Sequence, residues 1–249
     1  MLEEILRQGQ ITDETALRRF RRYYELLTQW NQVMNLTAIS GEEDTARLHF
    51  LDCAAIAGLT ELRGRRVIDV GSGAGFPGLV LKILCPDMDL TLLDSLDKRV
   101  KFLSAVCGEL GFPDVKCLHA RAEEAPAELR QSFDLACSRA VARLNLLSEL
   151  CLPFVKVGGL FLAMKGPELT EELREAEKGI RLLGGELERT AEYDVPGTDL
   201  RHRAVLIRKT ADTPARYPRK WGQMKKKPLC GALSAKGEDA YGRQGRGRL

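Results

Sequence analysis

The chain has 249 residues, 44% of them hydrophobic, which suits one large α/β domain with a small helical piece around an ordinary core. No apolar run is long enough to span a bilayer. The N-terminal MLEEILRQGQ carries acids where a signal peptide needs an apolar stretch, so a cytoplasmic protein is expected. The net charge of +3 hides an asymmetry: residues 201–249 hold 14 Lys and Arg against 3 Asp and Glu, a net +11, whereas the first 200 residues carry −8. A basic end on an acidic body points to a polyanionic partner.

In chain order, residues 12–33 read as a helix capped by Thr12 or Asp13, with Leu17, Phe20, Tyr24, Leu27 and Asn31 on one stripe. Arg18, Arg19, Arg21 and Arg22 fall largely off that stripe and are expected to form a solvated face. A second helix follows at 43–59, and 1–60 is read as a helical cap. From residue 65 strands and helices alternate. RRVIDVG is a strand, FPGLVLKILCP a helix, LTLLD (90–94) a strand, and DKRVKFLSAVCGELG (97–111) a helix ended by Gly111. VKCLHA (115–120) and FDLACSRA (133–140) are strands, LNLLSELCLPFV a helix, GGLFLAMKG (158–166) a strand, and 168–185 a helix. Strands 186–195 and 202–209 are joined by a link short enough for a hairpin. Repeated βαβ units predict an α/β fold with a doubly wound, mostly parallel seven-stranded sheet spanning 61–210 and a ligand site at the strands' carboxyl ends. Residues 211–249 form a basic extension whose last fifteen or so residues are expected to be disordered.

Seven cysteines at wide spacing, with no CxxC, and three histidines away from any ligand spacing argue against a disulfide framework or a metal site. The chemistry concentrates in VIDVGSGAGFPG (67–78), where glycines follow a strand and precede a helix. Two registers fit. GSGAG (71–75) directly follows the acid-containing strand, and GAGFPG (73–78) is the dinucleotide fingerprint. Asp94, at the end of the next strand, is placed to hold a ribose in either. Gly71 already closes the strand and Asp69 precedes it by two, which fits a cationic adenosyl ligand, S-adenosylmethionine, better than a pyrophosphate. Asp69 either orients the loop, meets an amino group, or pins neighbouring backbone amides. Ser72, Gly73 and Gly75 join Asp94 as candidate cofactor contacts. Arg121-Ala122-Glu123-Glu124 follows the third strand, where an adenine edge is expected. Arg139 and Lys165, at later strand ends, are candidate catalytic residues on the acceptor's lip.

Acceptor chemistry narrows the choice. No Asn/Asp-Pro-Pro-aromatic stretch for an adenine amine follows the fourth strand, which reads CSRAVA (137–142). Cys137, the only thiol near the rim, reads as a buried structural residue and not as the nucleophile a pyrimidine C5 needs. Guanine N7 needs neither nucleophile nor base, only positioning, with Arg or Lys at O6.

These residues resemble the bacterial glucose-inhibited division protein B family of small-subunit rRNA guanine-N7 methyltransferases. The likeness runs through WNQVMNLTAI (30–39), HFLDCAAI (49–56), DVGSGAGFPGLVL (69–81), LLDSLDKRVKFL (92–103), RAEE (121–124), SRAVARL (138–144), MKGP (164–167) and RYPRKWGQMKKKPL (216–229). It implies a class I methyltransferase fold, S-adenosylmethionine as donor, and 16S rRNA or the small ribosomal subunit as partner, with the methyl placed on a guanine of the 530 loop. It implies cofactor contacts at Gly71, Phe76, Ala122, Glu123 and Arg139. It suggests an RNA-facing set of His49, Arg219, Lys220, Lys225, Lys226 and Lys227, and a monomer without metal. The chain departs from the family in its final CGALSAKGEDAYGRQGRGRL, a Gly/Arg-rich tail beyond the usual close. Two other readings compete: an NAD(P)-linked oxidoreductase using GAGFPG, which lacks an evident substrate domain or Tyr/Lys pair, and a non-catalytic rRNA-binding assembly protein.

Overall fold

The computed structural model of the protein describes residues 1–230. Its sheet has seven strands: β1 (Arg66–Val70), β2 (Asp89–Asp94), β3 (Lys116–His119), β4 (Phe133–Arg139), β5 (Val155–Lys165), β6 (Gly185–Asp194) and β7 (Arg201–Lys209). Their order is β3-β2-β1-β4-β5-β7-β6. The first five run parallel, and β7 is antiparallel to both β5 and β6. The expected β6–β7 hairpin is therefore present, and it inserts its second strand beside β5. Central strands such as VIDV are buried on both faces, as helix-covered parallel strands must be. The parallel strands deliver Val70, Asp94, His119, Arg139 and Lys165 to one edge of the sheet.

The helices are α1 (Leu2–Gln8), α2 (Glu14–Met34), α3 (Glu42–Thr45), α4 (Asp52–Ala54), α5 (Gly78–Leu84), α6 (Asp97–Glu109), α7 (Leu144–Cys151), α8 (Thr170–Leu182) and α9 (Trp221–Lys226). Helix α2 starts where the sequence signals it: Asp13 Oδ2 accepts the Ala16 amide at 2.6 Å. Its buried side carries Leu17, Phe20, Tyr23 and Leu27, so Tyr23 and not Tyr24 holds the core position. The arginines of α2 lie off that side; Arg21 is ion-paired with Glu42 and Arg22 with Glu25 and Glu109, while Arg19 donates to the Leu110 carbonyl. The segment expected as one helix at 43–59 is α3 and α4 joined by a π-helical stretch, Ala46–Leu51. Helix α1 was not foreseen; its seven residues form only one apolar edge, Leu2, Ile5 and Leu6, which packs into the core.

One core lies on each face of the sheet. The first runs without a break from Leu6 and Phe20 through Phe76 to Leu92 and Leu162, so the N-terminal helices and the sheet share an interior. The second gathers Ile68, Ala136, Leu147, Ile180 and Ile207, and it includes Tyr217 and Met224 from the C-terminal segment. That segment is anchored, although its composition had suggested only a basic extension. Arg130 donates to the Tyr217 carbonyl at 2.6 Å, and Arg219 forms a two-pronged pair with Glu149 of α7 at 2.8 and 2.6 Å. Glu149 is fully buried and also accepts the Arg219 amide at 2.9 Å. The Gly/Arg-rich tail lies outside the described residues.

Removing one partner of such a pair strands a buried charge. Arg219→Ala should cost about 3 kcal/mol or more and make the C-terminal segment protease-sensitive. Denaturant midpoints and limited proteolysis check this; an unchanged midpoint would mean the pair does not hold the segment.

Candidate cofactor site at the strand ends

The glycine loop wraps over the tips of β1 and β2. The Gly71 and Ser72 amides both donate to the Leu93 carbonyl, at 2.8 and 3.1 Å, and Ser72 Oγ donates to the Asp69 carbonyl at 2.9 Å. Asp94 is 2% exposed; its Oδ2 accepts the Gly73 amide at 2.8 Å and its Oδ1 the Leu96 amide at 2.9 Å. Gly71 has φ +73, a left-handed conformation, and a Cβ there would stand 2.5 Å from Val141 Cγ2. Asp69 is fully buried, and its Oδ2 accepts the Gly78 amide in the first turn of α5 at 2.9 Å. Of the three roles open to Asp69 in the sequence, this geometry supplies the pinning of backbone amides. A side chain at Gly78 would run 2.8 Å from both Asp69 Oδ2 and Leu92, so the helix can approach the strand only without one. Asp69 Oδ1 has no hydrogen-bond partner among the described residues. Burial pushes the Asp69 pKa up to about 7, against the Gly78 amide and the Arg139 charge, which lower it.

Beside the loop opens a cleft of about 260 Å³. Of the expected cofactor contacts it brings together Gly71, Asp94, Ala122 and Glu123. Ser72, Gly73, Gly75, Phe76 and Arg139 do not line it. Arg121, in the stretch expected at the adenine edge, also lines it, whereas Ser95, Val141, Leu150 and Trp221 line the cleft and were not foreseen. Ser95 carries a faint signal, as the neighbour of Asp94 at a strand end. Leu150 and Trp221 arrive from α7 and α9, which no local pattern connects to the loop.

Phe76, which follows Gly75, is packed by aromatic and cationic groups. The His49 ring stacks on Phe76 at 4.3 Å, and the Arg139 guanidinium sits 4.8 Å above the same ring. Tyr23 stacks on Phe76 at 5.5 Å and donates its hydroxyl to the Ala74 carbonyl, so α2 grips the glycine loop. Arg139 donates to His49 Nδ1 at 2.8 Å, to the Leu48 carbonyl at 3.1 Å and to Asp52 Oδ2 at 3.1 Å. Asp52 Oδ1 accepts from Tyr193 and lies 2.8 Å from His202 Nδ1. His49 Nε2 lies 2.9 Å from Thr37 Oγ1. Since His49 Nδ1 accepts from a guanidinium, Nε2 carries the proton. Burial and the Arg139 charge hold the His49 pKa down to about 3.

Several expected roles therefore shift. His49, placed on the RNA side from sequence, is 6% exposed with both ring nitrogens engaged. Arg219, assigned to the same set, is committed to Glu149. Arg139 is turned inward to Asp52. Lys165 donates to the Ala142 carbonyl at 2.8 Å and pairs with Glu172 at 2.8 Å, which fixes the loop bearing Val141. Lys220, Lys225, Lys226 and Lys227 remain exposed, with no ion pair among the described residues. Cys137 is fully buried and its thiol pKa is pushed well above the ordinary range by that burial, which suits a packing residue and not a nucleophile. Among the described residues no cluster of three His, Cys, Asp or Glu could hold a metal, and no helix is long and apolar enough to cross a membrane.

A neutral buried histidine makes acid destabilising. Unfolded, His49 takes up its proton near pH 6.5; folded, only near 3. Its contribution to stability is present above 6.5 and lost as pH falls toward 3. Asp69 runs the other way, stabilising below its unfolded pKa and less so as pH rises through about 7. His49→Gln should remove a slope of up to about 1.4 kcal/mol per pH unit from the unfolding free energy below pH 6.5. Parallel pH profiles for the variant and the parent would contradict a histidine held neutral.

Comparison with known proteins agrees with the α/β fold. The family described as rRNA small subunit methyltransferase G matches residues 16–198. A Clostridium perfringens protein named ribosomal RNA small subunit methyltransferase G is 46% identical over 224 residues, covering 89% of this chain and 94% of its own. A Clostridium botulinum protein of the same name is 49% identical over 214 residues, covering 85% and 90%. A solved geranyl diphosphate methyltransferase in complex with SAM shares the fold, with a TM-score of 0.54 at 10% identity over 68% of this chain and 88% of that one. The parallel sheet with one reversed strand, the clamped glycine loop and this degree of identity along the chain agree: the protein is a methyltransferase of the rRNA small subunit methyltransferase G family.

Proposed function

We propose that the chain transfers a methyl group from S-adenosylmethionine to N7 of a guanine in the small-subunit rRNA, in the cytoplasm. The observation that carries the donor assignment is the occupied start of α5. In a dinucleotide site the helix N-terminus offers free amides to a pyrophosphate. Here the Gly78 amide is already held by the buried carboxylate of Asp69, 2.9 Å away. Asp94 and Glu123 bring two more carboxylates to the cleft itself. Each is paired with an arginine, Asp94 with Arg99 at 3.5 Å and Glu123 with Arg121 at 3.6 Å, so it is the held start of α5, and not net charge, that speaks against a pyrophosphate and the NAD(P) reading.

When bound, S-adenosylmethionine supplies an electrophilic methyl group on a sulfonium. Asp94 would hold the ribose hydroxyls, and Gly71 would allow the ligand close to the backbone. Ala122 and Glu123 would meet the adenine. Guanine N7 presents an exposed lone pair and no proton, so the protein has only to orient the base and exclude water. The side chains fit that demand. His49 is locked between Thr37 and Arg139, and Arg139 and Lys165 act as positioning residues, the first holding Phe76 and the cap, the second the loop carrying Val141. The exposed Lys220, Lys225, Lys226 and Lys227 would meet phosphates.

The test is methyl transfer from labelled S-adenosylmethionine to unmethylated small subunits and to naked 16S rRNA, with the product mapped by N7-sensitive chain cleavage. Label at a single guanine supports the reading; label on another atom or on no rRNA overturns it. Asp94→Ala should weaken cofactor binding about 10- to 100-fold, the scale of a lost hydrogen bond to a charged group; unchanged affinity would remove Asp94 from the site. Replacing Lys225, Lys226 and Lys227 together by Ala should weaken rRNA binding, flatten its salt dependence and leave cofactor affinity intact. An unaltered salt slope would place the docking surface elsewhere.

A further inference from the structure

Trp221 stands apart from the residues that clamp the glycine loop. It stands at the start of α9, remote in sequence from the glycine loop, yet its side chain lines the cleft. It is half-buried, in contrast to the exposed lysines of the same helix. The cleft is not uniform. Asp94, Ser95 and Glu123 are polar, whereas Leu150, Ala120, Ala122 and Trp221 are apolar. Ala120, Ala122 and Trp221 all pack against the same core cluster, of which Leu150 is part. The turn Ala122–Glu124 abuts α7, the helix that carries Leu150.

The position of the indole is also firmly set. Arg219, two residues earlier, is held by the fully buried Glu149, next to Leu150 in α7. Met224, three residues later, is fully buried. Arg219 Nη1 further donates to the Lys227 carbonyl at 3.0 Å, which closes α9 back on its own start. Glu149, which fixes Arg219, directly precedes Leu150, the α7 residue that lines the cleft.

We propose that Trp221 is a cofactor-binding residue: its indole forms an aromatic wall against the purine of the donor, opposite the small side chains of Ala120 and Ala122. The inference rests on the S-adenosylmethionine reading of the cleft. A purine has two apolar π-faces and a polar edge. Ala120, Ala122 and Trp221 suit the faces, and Glu123 suits the edge. Base–aromatic stacking is strong enough for its removal to weaken binding by roughly tenfold or more.

The chain's two tryptophans make the test direct, because Trp30 lies elsewhere, packed edge-on against Phe102 at 5.6 Å. Full-length Trp30→Phe leaves Trp221 as the sole reporter, and Trp221→Phe leaves Trp30. Each is titrated with S-adenosylhomocysteine while fluorescence is read, and binding is measured separately by calorimetry. The Trp30→Phe protein should show saturable quenching at the calorimetric midpoint. The Trp221→Phe protein should bind within a few-fold of the parent with no emission change, and Trp221→Ala should bind about tenfold or more weakly. Bound S-adenosylhomocysteine with silent Trp221 emission, or a folded Trp221→Ala protein of parental affinity, would overturn the inference while leaving the donor reading intact. Should Trp221→Ala not fold, the emission of the Trp30→Phe protein decides alone. No calorimetric binding to the parent would fell the donor reading, and this inference with it.

Discussion

Two acidic side chains hold the glycine loop in place, and the rest of the site depends on them. Asp94 reaches from the end of β2 to the Gly73 amide, and Asp69 reaches from within β1 to the Gly78 amide. A loop with three left-handed glycines would otherwise sample many backbone conformations. Clamped at both ends, it leaves an open cleft between the tips of β1 and β2. The cost is concentrated in Asp69, fully buried with one oxygen unpartnered, and its raised pKa reflects that burial. Burial raises the Asp69 pKa toward neutrality, which lessens the cost of the buried charge.

The N-terminal helices serve the same loop from behind. Tyr23 holds the Ala74 carbonyl, and Phe76 is packed among Tyr23, Phe50 and His49 with Arg139 above it. Arg139 carries this order across the molecule: one guanidinium joins the π-helical stretch at Leu48 and His49 to Asp52, and Asp52 joins the β6–β7 hairpin through Tyr193 and His202. A desolvated arginine with three partners is a stiff junction. The helices at the N-terminus and the hairpin at the far end of the sheet thus converge on the phenylalanine that follows the last glycine of the loop.

Much of the fold was legible because it is written in local pattern. Apolar strands ending in Asp94 and Arg139, Pro77 before α5, Gly111 after α6 and the short link between β6 and β7 each announce an element or its end. The glycines and Asp94 likewise announced the loop. What stayed hidden was set by partners distant in sequence. His49 and Arg139 read as free polar groups on the rim, and only the fold shows them bonded to each other. Arg219 read as one more cation in a basic run, until Glu149, 70 residues away, claimed it. Trp221 reached the cleft by the same route. Helix α1 was too short for a periodic signal, and Tyr23 and Tyr24 are adjacent, so the stripe alone could not choose between them.

The account turns on the donor that the clamped loop selects. Calorimetric titration of the purified protein with S-adenosylhomocysteine and, in parallel, with NAD tests it most directly. A single saturable site for S-adenosylhomocysteine and no heat with NAD is the predicted result. Binding of NAD in its place would contradict the assignment, because a pyrophosphate would then be seated where Asp69 already holds the start of α5.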